Sequence, residues 1–171
     1  MNFGIDLQDQ LRPLLLGPPL LTLAVSESLT SGFLQSAIGS RSGASDFFVG
    51  GLTAYSIDQK VTHLGVDRRE AERCAAVSGE VARQMALGVC DLFQSTIGLS
   101  TTGFAEPDPA SGVTTPCAFW AIAHVGAGSK SVVRDGFVEK PGLTRTAVQQ
   151  AVSEDVLQAL LEYLTGFRES A

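Results

Sequence analysis

Apolar residues recur along this chain in two periods, near 3.6 and near 2, and the changes between them predict its elements. Residues 3–16 place Phe3, Ile5, Leu7, Leu11 and Leu14–Leu16 on a helical repeat, with Pro13 disturbing the last turn. Gly17-Pro18-Pro19 stops that helix. LLTLAVSES (20–28) reads as a buried strand running straight into small polar residues. A helix follows over 31–39, with Thr30 or Ser31 as its cap. After the loop SRSGAS (40–45), GGLTAYS (50–56) predicts a second strand, 57–64 a short helix and 67–74 a charged helix. SGEVARQMALGVCDLF (78–93) is the clearest helix, with Glu80 suited to the dipole of its first turn. IGLSTTG (97–103) predicts a third strand, and a proline- and glycine-rich loop, 106–116, follows it. CAFWAIAHV (117–125) and KSVVRDGFV (130–138) form a hairpin pattern around Gly126–Gly128, and a final helix covers 143–165.

Strands that each lead into helices predict an α/β fold, a three-layer α/β/α arrangement with a mixed, mostly parallel central sheet. Residues 1–171 are expected to form one domain, with 1–18 as a helix packing on it. In such sheets ligands gather at the carboxyl ends of parallel strands. Here those ends are Ser26-Glu27-Ser28, Tyr55-Ser56 and Thr101-Thr102-Gly103, so hydroxyls converge on one edge.

Composition narrows the chemistry. Twelve basic and 18 acidic residues give a net charge of −6, which disfavours a nucleic-acid groove but allows a local pocket for one phosphate. A hydrophobic share of 44% supports a sizeable core, yet no apolar run is long enough to cross a bilayer. The segment MNFGIDLQDQ lacks the basic start of a signal peptide, so a cytoplasmic location is expected. Cys74, Cys90 and Cys117 are widely spaced and read as reduced thiols, not as a zinc knuckle or disulfide framework. The two histidines, His63 and His124, have no nucleophile elbow beside them, and no acidic or histidine cluster has metal-ligand spacing. A serine activated by a neutral lysine is an alternative nucleophilic arrangement. Of the three lysines, Lys60 follows the strand end at Tyr55-Ser56 and lies within reach of the hydroxyl-rich edge, with a solvated surface lysine as the other reading.

Several blocks in order resemble the CinA C-terminal domain, the nicotinamide-nucleotide amidase family. Glu27, Ser28, Thr30 and Gly32 match its A-E-S-x-T-G-G block. Gly43, Ser45, Phe48, Gly50 and Gly51 match P-G-S-S-x-x-F-x-G-G, and Tyr55, Ser56 and Lys60 match Y-S-N-x-x-K. AVSGEVARQMALGV (76–89) is similar to A-V-S-x-x-V-A-x-x-M-A-x-G, and Thr102, Gly103, Ala105 and Pro107 to T-G-I-A-G-P. The resemblance spans residues 20–165 and implies hydrolysis of nicotinamide mononucleotide to nicotinic acid mononucleotide and ammonia, in the pyridine nucleotide cycle of NAD metabolism. It implies Ser45 as nucleophile, Lys60 as its base and Tyr55 as orienting or relay group. Ser28, Glu27, Thr30, Thr102, Gly103 and Arg145 would bind substrate or its oxyanion. No metal or cofactor is expected, and a homo-oligomer is. Ser45 and Ser28 are both matched serines, and the sequence does not say which oxygen meets Lys60.

The chain also departs from the family pattern. Glu106 replaces a glycine of T-G-I-A-G-P, PDPASG (107–112) follows, and Glu139-Lys140-Pro141 stands where the family has G-D-R. Glu106 and Asp108 would repel a phosphate, while Arg145 or Lys140 could still bind one. A related hydrolase with another amide substrate, and a non-catalytic nucleotide-binding module, are the alternatives. The large N-terminal domain of long CinA proteins has no counterpart here, which predicts a stand-alone form.

Overall fold

In the computed structural model, which describes residues 5–126 and 128–170, the two apolar periods become one sheet with helices on both faces. The chain runs α1 (Ile5–Leu16), β1 (Leu23–Glu27), α2 (Phe33–Gly39), β2 (Phe48–Thr53), α3 (Ile57–Leu64), α4 (Arg68–Arg73) and α5 (Gly79–Phe93). It continues through β3 (Ile97–Phe104), β4 (Cys117–Gly126), β5 (Ser129–Glu139) and α6 (Arg145–Glu169). The sheet order is β2-β1-β3-β4-β5. β2, β1 and β3 are parallel, and β4 and β5 continue the sheet antiparallel, as a mixed α/β/α fold requires.

Period 2 sorts the strand residues between the two layers. Leu23 and Val25 of β1 join Leu99 and Ile122 in a core built with Leu15 of α1, Leu34 of α2 and Leu160 of α6. Ala24 faces the other way, toward Val81, Met85 and Val89 of α5. Both faces of β1 are therefore buried, which is why LAVSE carries no charged residue until its last position.

The structure shifts several boundaries. β2 starts at Phe48, paired with Leu23, rather than at Gly50, and Tyr55-Ser56 leaves the sheet because Ser56 caps α3 by accepting from the Gln59 N–H. Neither Thr30 nor Ser31 caps α2. Its N-cap is Gly32, at φ 99°, without a side-chain cap bond of its own. The expected helix residue Phe3, and Ala127 within the expected hairpin turn, lie outside the described residues.

Candidate active site

The hydroxyl-rich edge predicted from the strand ends is the wall of a cavity of about 380 Å³. The β1–α2 loop supplies Ser28, α3 supplies Lys60, and the end of β3 supplies Thr102 and Gly103. Tyr55 and Arg145 stand at its rim.

Lys60 is 2% exposed, and its Nζ donates to Ser28 Oγ at 3.0 Å. The fold brings them together simply. The Ala54 N–H donates to the Glu27 carbonyl at 2.8 Å, so β1 and β2 end level with one another. Ser28 is the next residue after β1, and Lys60 lies in the first turn of a helix that starts three residues after Ala54. Leu29, Ile57, Ala76 and Val77 give the cavity apolar lining. Burial in these surroundings lowers the Lys60 pKa from 10.5 to about 8.

The loop carrying Ser28 is fixed from two sides. Thr30 Oγ1 and Thr101 Oγ1 share a hydrogen bond of 2.7 Å, and buried Gln149 of α6 donates from Nε2 to the Leu29 carbonyl at 2.8 Å. Gln149 is not among the residues the sequence singles out, although a polar residue beside Val148 and Val152 on an apolar helix face was a usable signal. Thr102 Oγ1 donates to the Ala76 carbonyl at 2.7 Å. That bond anchors Ala75 and Ala76, whose φ values of 51° and 57° are left-handed and strained for alanine, in the cavity wall.

Three expectations need correction in position. Ser45 is exposed, in the 3-10 turn Ala44–Asp46 that precedes β2. Phe48 pairs with Leu23 at the amino end of β1, whereas Ser28 lies past its carboxyl end. At roughly 3.3 Å per residue, β1 alone separates the two ends by about 13 Å. Lys60 therefore meets Ser28 and not Ser45. Glu27, expected to touch substrate, is fully buried and turned away from the cavity. Its carboxylate accepts from the backbone N–H groups of Gly32, Leu34 and Gln35 at 3.0, 3.1 and 2.9 Å, so it caps α2 from the end of the neighbouring strand. Thr30, fully buried, spends its hydroxyl on Thr101 and does not line the cavity. Replacing Glu27 by alanine leaves three donors at a helix start without their acceptor and is expected to cost about 3 kcal/mol of stability in urea unfolding. An unchanged midpoint would contradict this anchoring role.

At the rim, Arg145 donates from Nη1 to Glu106 Oε1 and from Nη2 to the Tyr55 hydroxyl oxygen, both at 2.6 Å. Among the described residues there is no cluster of side chains able to hold a metal ion, and no helix is long and apolar enough to cross a membrane.

The model of the CinA C-terminal domain family matches residues 13–164, most of the chain. This chain belongs to the CinA C-terminal domain family. A CinA-like protein of Chlorobium limicola is 40% identical over 147 residues, which cover 84% of this chain and 34% of that protein. A CinA-like protein of Picosynechococcus is 43% identical over 116 residues, 64% of this chain and 28% of that protein. The chain thus spans about a third or less of the length of the curated CinA relatives it matches. Among solved structures, a competence or damage-inducible protein from Enterobacter asburiae superposes with a TM-score of 0.82 at 26% identity, over 93% of this chain and 96% of that one. The CinA match embraces every element that builds the cavity, from β1 to Arg145 in α6.

Proposed function

We propose that this protein is a serine amidohydrolase in which Ser28 is the nucleophile and Lys60 its general base, and that its substrate is the carboxamide of nicotinamide mononucleotide. The observation that carries this reading is the 3.0 Å contact between a buried lysine amine and a serine hydroxyl on the wall of a cavity of ligand size. A lysine with a pKa of about 8 is partly neutral at pH 7, and the neutral amine has a lone pair for the hydroxyl proton.

Ser28 Oγ attacks the carboxamide carbon while its proton passes to Lys60 Nζ. The tetrahedral intermediate then expels ammonia, which takes the proton from Lys60, and an acyl ester remains on Ser28. Water attacks this ester, gives one proton to Lys60, and releases the carboxylic acid as Ser28 recovers its hydrogen. The Tyr55 hydroxyl oxygen accepts from Arg145, so its own O–H is left to donate to substrate at the rim. Arg145 is the cation available for a phosphate on the same molecule.

Ammonia release from nicotinamide mononucleotide, with nicotinic acid mononucleotide as the second product, is the expected result. Binding without turnover would favour a non-catalytic module of the same fold. The Glu106–Arg145 ion pair gives a second reading some support, because it covers the phosphate-binding cation with a carboxylate. Turnover of carboxamides that lack phosphate, and none of the mononucleotide, would establish that reading instead.

A further inference from the structure

We infer that Glu106 is a specificity-determining counter-ion, which holds Arg145 and must be exchanged for the anionic group of an incoming substrate. The inference rests on the amidase reading for the identity of that substrate, a phosphate monoester bearing a carboxamide. The exchange itself rests only on geometry.

Three segments distant in sequence meet at this point. Tyr55 lies between β2 and α3, Glu106 follows β3, and Arg145 is the first residue of α6. Both terminal nitrogens of Arg145 are engaged, Nη1 on Glu106 and Nη2 on Tyr55. The fork that would take a phosphate in two parallel hydrogen bonds is therefore already filled by groups of the protein. All three residues line the same cavity as Ser28 and Lys60, so an anion held here would belong to a molecule whose other end can reach the Ser28 hydroxyl.

The pair is built to exchange. The Arg145 and Glu106 side chains are 44% and 60% exposed, and ion pairs that open to water are weak. A phosphate dianion carries more charge than a carboxylate and displaces it from the guanidinium. Glu106 nevertheless acts against phosphate in two ways: it competes for Arg145 beforehand, and it remains as a like-charged neighbour afterwards. Asp108, on the same wall, adds to the second effect. A neutral carboxamide that does not use Arg145 meets neither penalty. Glu106 thus lowers the advantage that a phosphorylated substrate would otherwise hold over an unphosphorylated one.

Calorimetric titration with inorganic phosphate at fixed ionic strength tests the exchange without any need for turnover. Glu106→Gln is expected to bind phosphate about tenfold more tightly than the unaltered protein, equivalent to about 1.4 kcal/mol. Arg145→Gln, alone or combined with Glu106→Gln, is expected to lose that binding. Equal or weaker binding by Glu106→Gln, no binding by either protein, or retained binding in Arg145→Gln would each overturn the assignment. A parallel assay keeps the two ideas separate: in Glu106→Gln, the ratio of kcat/KM for the mononucleotide to that for its riboside should rise. If no carboxamide is turned over while phosphate binding still tightens, the amidase reading fails and the counter-ion stands.

Discussion

Ser28→Ala is expected to lower kcat for carboxamide hydrolysis by about a thousandfold or more, since loss of a nucleophile leaves only binding and charge stabilisation. Ser45→Ala, on the exposed turn before β2, is expected to stay within about twofold of the unaltered rate. The contrast matters more than either value. Both serines fit the same family pattern, but only Ser28 accepts a hydrogen bond from Lys60, and the other lies at the opposite end of the parallel strands. Ammonia release measured for the two variants side by side checks the assignment. Equal losses in both would mean that Ser45 reaches the reacting carbonyl by some movement of the β1 and β2 ends.

Lys60→Met is expected to abolish turnover and at the same time to stabilise the fold. An ordinary lysine holds its proton until pH 10.5, whereas Lys60 gives it up at about 8 because burial penalises the ammonium. Below pH 8 the folded protein carries that penalty, of the order of 3 kcal/mol, and the unfolded chain does not. Stability from this group therefore rises with pH between about 8 and 10.5, where the unfolded chain still binds the proton that the folded state has released. Methionine fills similar space without charge, so at pH 7 the variant should gain about 2 kcal/mol in urea unfolding, with the gain shrinking above pH 8. Activity carries the same signature. In the unaltered protein kcat/KM should climb about tenfold between pH 7 and 9, as the neutral amine replaces the ammonium. A lysine variant that lost stability at pH 7, or a profile flat across this range, would show that the amine is an ordinary surface cation.

The sheet and its hydroxyl-rich edge were legible because they follow from periodicity and from strands that end in small polar residues. Lys60 was legible in part: it follows closely on the second strand's end, in the helix that starts at Ile57, and its match to the family pattern singled it out. The choice between serines was not legible from the matched motifs, yet the carboxyl-end rule favours a serine that follows a strand over one that precedes it. Glu27 was a substrate-binding candidate only through its match to the family block that also holds Ser28. Its neighbours in β1 alternate between layers, and only the position of α2 reveals that the carboxylate is consumed by backbone donors. Gln149 and Ala76 act through contacts across 120 and 26 positions of sequence, which no local pattern records. The ion pair between Glu106 and Arg145 likewise joins residues 39 apart.

Fluorophosphonate labelling followed by peptide mapping, repeated across pH, interrogates the reactive hydroxyl without presupposing any substrate. A single label on the peptide carrying Ser28, a rate that rises with a midpoint near pH 8, and no label in Lys60→Met are expected. A label on the Ser45 peptide, or on Ser28 at a rate indifferent to pH and to the loss of Lys60, would contradict the pairing of Ser28 with Lys60.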